Sequence, residues 1–179
     1  MVNVSSGLGN VAPPYLGAYA AAQFGKEGMS DALRRELRPQ GVSVSVIQPV
    51  TVATPIWGKL RDSANSIVAA TPTEIVEVYR RRFTAFLTAN ESRAYASKAT
   101  AAEYADAVAH AVTARHPRIR YRVGAESWSS TVARRLMPDR LLDSVIEART
   151  NRLIRAGSTQ VAGRATGAVT PLTAGTPGG

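Results

Sequence analysis

The chain contains no cysteine, which excludes disulfide frameworks, thiolate metal sites and thiol redox chemistry. Histidine is nearly absent too. His110 and His116 are the only two, their spacing does not place them on one helix face, and no acidic cluster accompanies them, so no metal site is expected. No apolar run approaches the roughly 20 residues that a membrane-spanning helix needs. No charged start followed by an apolar stretch marks a signal peptide, and a cytoplasmic protein is expected. Acidic residues are outnumbered, 13 against 22 Lys and Arg, leaving a net charge of +9. The excess is arginine scattered through Arg34-Arg35, Arg80–Arg82, Arg115–Arg122 and Arg134-Arg135. With no zinc-finger spacing and no aromatic RNA-binding strand beside it, it reads as solvated helix faces, and nucleic acid is not an expected partner.

What is present suits one globular domain. The chain has 179 residues, 45% of them apolar and 20% charged, enough for a single core. Met1–Ser6 reads as a short buried strand. Gly7–Leu16 carries two glycines and two prolines and reads as loop. Gly17–Arg38 reads as a helix whose apolar face is Phe24, Met29, Leu33 and Leu37, stopped by Pro39 and Gly41. Val42–Ile47 is a β-branched second strand, and a helix between two such strands implies parallel pairing. Pro49–Thr71, with Pro55 and Gly58, reads as a long irregular segment of the kind that α/β proteins use to hold ligands. Thr71-Pro72-Thr73-Glu74 and Thr100-Ala101-Ala102-Glu103 are two capping boxes, opening helices expected to end near Ala89 and Thr113. Asn90–Ala99 between them reads as polar loop. Arg118–Val123 alternates and fits a third strand near a sheet edge. Ser129–Leu136 and Asp139–Arg152 read as two short helices. Residues 156–179, rich in Gly, Thr, Ala and Pro, read as a disordered tail after a domain at 1–155.

The chemistry-bearing stretch is SGLGNVAPPYLGAYAAAQ, from Ser6 to Gln23. It puts a hydroxyl at a strand end and a phenol, Tyr19, in the first turn of the next helix, thirteen positions later. These two groups are a candidate proton-transfer pair. The text NVSSGLG, GAYAA, GMSDALRREL and VSVSVIQP, in this order and spacing, resembles the active-site half of the short-chain dehydrogenases/reductases. Pro49-Val50-Thr51-Val52-Ala53-Thr54 is similar to the family's Pro-Gly-x-[Val/Ile]-x-Thr loop. The resemblance covers residue 1 to about 150 and is nearer to hydroxysteroid- and retinol-dehydrogenase-like members than to acyl-carrier reductases.

The resemblance implies an α/β, partial Rossmann-like fold of about three parallel strands, and an oxidoreductase using NAD or NADP on a small-molecule hydroxyl/carbonyl pair. It implies that Tyr19 gives or takes the proton, that Ser6 orients the carbonyl, and that Gln23, Pro49, Val52 and Thr54 face the nicotinamide end of the cofactor. The chain departs from the family in three ways. An unperturbed tyrosine ionises near pH 10, and the family favours the phenolate with a lysine four residues on. Here that residue is Gln23, which carries no charge. Val50 stands where the family has glycine. The TGxxxGxG turn that holds the pyrophosphate does not occur. Impaired activity is therefore expected of this chain. The alternative expectation is a non-catalytic interaction subunit, with the first strand an exposed edge that pairs with a second copy or with a partner chain supplying further strands.

Overall fold

Three short runs rich in β-branched residues, Val2–Val4 (β1), Ser45–Pro49 (β2) and Arg120–Val123 (β3), pair as one parallel sheet in the order β1-β2-β3. The structure is a computed structural model describing residues 1–124, 132, 134 and 136–166, with side chains to residue 155. Val4 lies opposite Ile47, and Ile47 opposite Tyr121. The ladder runs past β1, because the Ser5 and Gly7 amides donate to the Ile47 and Pro49 carbonyls at 2.9 and 2.8 Å. Among the described residues the strands are accompanied by α1 (Gly17–Leu37), α2 (Ile56–Ala70), α3 (Thr73–Ala96), α4 (Ala101–Thr113) and α5 (Asp139–Thr166). A 3-10 turn, Arg38–Gln40, closes α1.

Successive strand residues point to opposite faces, and here the two faces differ in chemistry. Val2, Ile47, Tyr121 and Val123 pack with Tyr104, Ala107, Val108 and Ala111 of α4 in an apolar core. The other face presents Asn3, Gln48 and Arg120, and these bond to α1. Tyr121 is buried against α4, where its hydroxyl accepts from the Arg118 amide at 2.9 Å and lies 2.8 Å from His110 Nδ1.

The sheet, its parallel sense and α1 agree with expectation, as does the edge position of β3, whereas β2 begins at Ser45 instead of Val42 and continues to Pro49. The Thr100 box is fully formed: the Glu103 amide donates to Thr100 Oγ1 and the Thr100 amide to Glu103 Oε2, both at 3.1 Å. Other expectations fail for identifiable reasons. Pro49–Thr71 is not an irregular segment, since α2 fills most of it. Ile56, Leu60, Ala64 and Val68 recur every fourth residue, and Pro55 begins that helix instead of breaking it, its fixed φ being helical. The Thr71 box does not form, because Thr71 Oγ1 donates back to the Ile67 carbonyl at 2.7 Å. α3 runs through Asn90–Ala96, where a loop is expected. Asn90 Nδ2 donates to the Phe86 carbonyl, so its side chain is used within the helix. β1 is less buried than a core strand, as an edge strand must be. α5 covers 156–166 of the expected tail. The rest of the tail, and most of the helix expected at 129–136, lie outside the described residues.

Candidate active site

α1 buries Ala20, Gln23, Glu27 and Ser30, and leaves Phe24 and Met29 exposed. The expected apolar face of Phe24, Met29, Leu33 and Leu37 is therefore corrected. The sheet face beneath α1 is polar, and small or hydrogen-bonding residues meet it. Tyr19, Gln23 and Glu27 fall on one stripe, each about 6 Å along the axis from the next.

Ser6 sits in a tight turn whose neighbouring residues, Ser5 and Gly9, both meet Glu27 of this stripe. Its Oγ accepts from the Leu8 amide at 3.1 Å and its carbonyl from the Gly9 amide at 2.9 Å. The residue is 8% exposed. Tyr19 is 43% exposed in the first turn of α1. Among the described residues, no hydrogen bond joins the two hydroxyls or ties Tyr19 elsewhere. Gln23, one turn below Tyr19, is 7% exposed, and its Oε1 is buried without a partner. A buried carbonyl oxygen left unpaired costs about 1–3 kcal/mol, and Gln48 Oε1 on β2 is unpaired in the same way.

The loop after β2 borders the same end of the sheet. The Pro49 carbonyl accepts from Gly7 of the Ser6 turn, and the Val52 carbonyl accepts from Trp57 Nε1 at 2.9 Å. Thr54 is exposed beside the start of α2. Val50 has a structural counterpart in Gly124. Gly124 has φ +89°, and a Cβ there would collide with Val50 Cγ2. The branched side chain at 50 thus occupies room left by a bare Cα at 124.

Below Gln23 lies a buried charged network that the sequence reading missed. Glu27, 7% exposed, accepts from Ser5 Oγ, from Gln48 Nε2 at 2.8 Å and from Arg120 Nε at 3.0 Å. Arg120 also reaches Asp31 at 3.1 Å, and Arg34 pairs with the other Asp31 oxygen at 3.4 Å. Partial burial pushes the Asp31 carboxyl up, but Arg120 and then Arg34 outweigh it and hold the pKa below the ordinary value. Burial pulls the Arg120 guanidinium down, and Asp31 and Glu27 together hold it above its ordinary value. The available signal was the alternation of arginine with apolar residues through Arg120–Val123, which offers a cation to Glu27 and Asp31, one turn apart on α1.

An apolar cavity of about 590 Å³ opens between α2 and α3, lined by Trp57, Leu60, Val68, Val76, Phe83 and Leu87. Tyr15 also lines it, its ring 5.5 Å from Phe83 and 5.3 Å from Phe86. An Arg61–Glu91 ion pair joins α2 to α3 across it. Tyr15 has φ +66°, a conformation uncommon outside glycine. It holds the α3 aromatics four residues before Tyr19.

Residues 1–65 match the profile of the short chain dehydrogenase family. A 3-amino-tetrahydro-pyrrolizinone reductase of Xenorhabdus hominickii is 39% identical over 127 residues, covering 71% of this chain and 44% of its own length. The chain belongs to the short-chain dehydrogenase/reductase family. An uncharacterized oxidoreductase of Escherichia coli, YbbO, is 33% identical over 147 residues. The bovine 17-beta-hydroxysteroid dehydrogenase type 6 is 33% identical over 150 residues, covering 82% of this chain and 47% of its own. A crystal structure of a short chain dehydrogenase from Burkholderia cenocepacia in complex with NADP superposes with a TM-score of 0.50 at 20% identity, over 83% of this chain and 46% of that one, and shows the shared fold. The chain spans about half the length of the curated relatives it matches. Among the described residues, no helix is long and apolar enough to cross a membrane and no cluster of ligands suits a metal.

Proposed function

We propose that this chain carries the proton-transfer half of an NAD(P)-dependent oxidoreductase acting on a hydroxyl/carbonyl pair. Tyr19 exchanges the proton with the substrate oxygen, and Ser6 orients the carbonyl. Gln23 receives a hydroxyl of the nicotinamide ribose, while Pro49, Val52 and Thr54 border the carboxamide. The cofactor supplies or accepts the hydride. The apolar lining between α2 and α3 favours a substrate with an apolar body. The observation that carries the reading is the strand–turn–helix unit that sets the Ser6 turn before α1, with Tyr19 43% exposed in the first turn of that helix and Gln23 one turn below it on the same stripe. These residues fit the nicotinamide–ribose end of the cofactor alone, so binding to this chain is weak. Calorimetric titration with NADH and NADPH is expected to give a Kd near millimolar, about −4 kcal/mol, abolished in Gln23→Ala. Saturation at micromolar cofactor would contradict the partial-site reading, and no binding at any concentration would contradict the cofactor reading.

A second reading is favoured by a different observation. β1 pairs with β2 on one side only, Val4 is 41% exposed, and Phe24 and Met29 of α1 are exposed as well. Such an edge is a template for another strand. In this reading the chain acts as an interaction subunit, and a second copy or a partner chain adds strands beside β1. Sedimentation of the chain alone separates the two occupants: a dimer indicates self-pairing, and a monomer leaves a partner chain.

A further inference from the structure

We infer that Glu27 is a positioning residue for the Ser6 turn, an inference that rests on the reading of Ser6 as the group facing the substrate carbonyl. Three observations converge on this carboxylate. It accepts from Ser5 Oγ, which fixes the residue immediately before Ser6. It accepts from Gln48 Nε2 on the strand whose next residue, Pro49, receives the Gly7 amide. Its side chain also fills the space over Gly9: a Cβ built there would lie 3.0 Å from Glu27 Cγ, 3.1 Å from Oε1 and 3.1 Å from the Ser6 carbonyl oxygen. The turn from Ser5 to Gly9 is therefore held at both ends by one buried side chain. Because Glu27 lies two turns below Tyr19 on the same stripe, it sets the Ser6 hydroxyl relative to the helix that carries the phenol. Arg120 supplies the positive charge that lets a carboxylate remain buried there.

The test is residue-resolved amide hydrogen exchange on the full chain and on Ser5→Ala, Ser5→Thr and Gly9→Ala. Ser5→Ala removes one hydroxyl and leaves the Glu27–Arg120 pair intact. The Leu8 and Gly9 amides are expected to exchange about tenfold faster, as for the loss of roughly one hydrogen bond, with α4 and the β2–β3 ladder unchanged. Ser5→Thr, which keeps the hydroxyl, restores the parent rates, and Gly9→Ala reproduces the local acceleration by pushing on Glu27. Uniform acceleration in Ser5→Ala would show that the carboxylate acts only on stability and would overturn the inference, as would unchanged rates at Leu8 and Gly9. None of these outcomes needs cofactor, so failure of NADH to bind the parent chain tells against the proposed activity without touching this result.

Discussion

Replacing Arg120 by methionine isolates the energetic role of the network under the site. The side chains of Glu27, Arg120 and Asp31 are 9, 25 and 28% exposed. Removing the guanidinium leaves the Glu27 carboxylate with only Ser5 and Gln48 as donors, in a place that water barely reaches. Breaking a buried pair by deleting one partner costs about 3–5 kcal/mol, and a partly exposed pair such as Arg120–Asp31 adds at most about 1 kcal/mol. Because a quarter of Arg120 is already wet, the cost is shifted below this range, to about 2–4 kcal/mol. For a domain of this size each kcal/mol moves Tm by about 2–4 °C, so the expected fall is roughly 5–15 °C. Urea unfolding followed by far-UV circular dichroism measures it. Glu27→Gln combined with Arg120→Met should cost less than the sum of the single changes, since the orphaned charge is gone. A loss under about 1 kcal/mol for Arg120→Met, or strict additivity, would refute the claim that Glu27 is buried as a paired ion.

Three further outcomes follow from the same geometry. Asp31 is held below its ordinary pKa of 3.8, so its contribution is present above that value and is lost as pH falls through the depressed folded one. The stability gap between the parent and Asp31→Asn, read by urea unfolding, should therefore be present at pH 7 and should close below about pH 4. Gln23→Lys would place an ammonium one turn from Tyr19 and one turn from Glu27, and should raise NAD(P)H-dependent carbonyl reduction over the parent by about tenfold or more. Equal rates would deny Tyr19 its role. Gly124→Ala forces a Cβ onto Val50 at a positive φ and should cost about 1–3 kcal/mol. Val50→Gly should recover the part due to collision and leave the backbone strain, so a double variant as unstable as Gly124→Ala alone would show that Val50 does not fill that space.

Much of the frame was legible because its signals are local. Val42–Ile47 and Arg118–Val123 have strand composition, and the Ser6-to-Tyr19 spacing with its flanking text locates the strand–loop–helix unit. The Thr100 box needs only residues three apart. The misreadings come from interactions that span the chain. Phe24 and Met29 look like a core stripe when α1 is read alone. Its buried side is chosen by the polar face of the sheet, and Glu27 finds Arg120 from 93 residues away. Pro55 and Gly58 resemble loop residues until α2 lies beside α3, with Trp57, Leu60 and Val68 lining the cavity the two helices share. The pairing of Thr71 with Ile67 rather than Glu74 was decided by α2, a helix not expected there. At the candidate site, Ser6, Tyr19 and Gln23 could be proposed from sequence because a motif carries them. Glu27, Gln48 and Tyr15 could not, because their roles depend on burial, on a cross-sheet bond and on a backbone angle.

The central claim is that the Ser6 turn, Tyr19 and Gln23 form the nicotinamide end of a cofactor site. The most direct measurement is an NMR titration of the isotope-labelled chain with NADH, following the Gln23 side-chain amide and the backbone amides of Ser6, Tyr19 and Val52. These resonances are expected to shift together and to saturate with one dissociation constant, while those of α4 stay in place. Shifts confined to the α2–α3 cavity, or a Gln23 amide that does not move at saturating NADH, would contradict it.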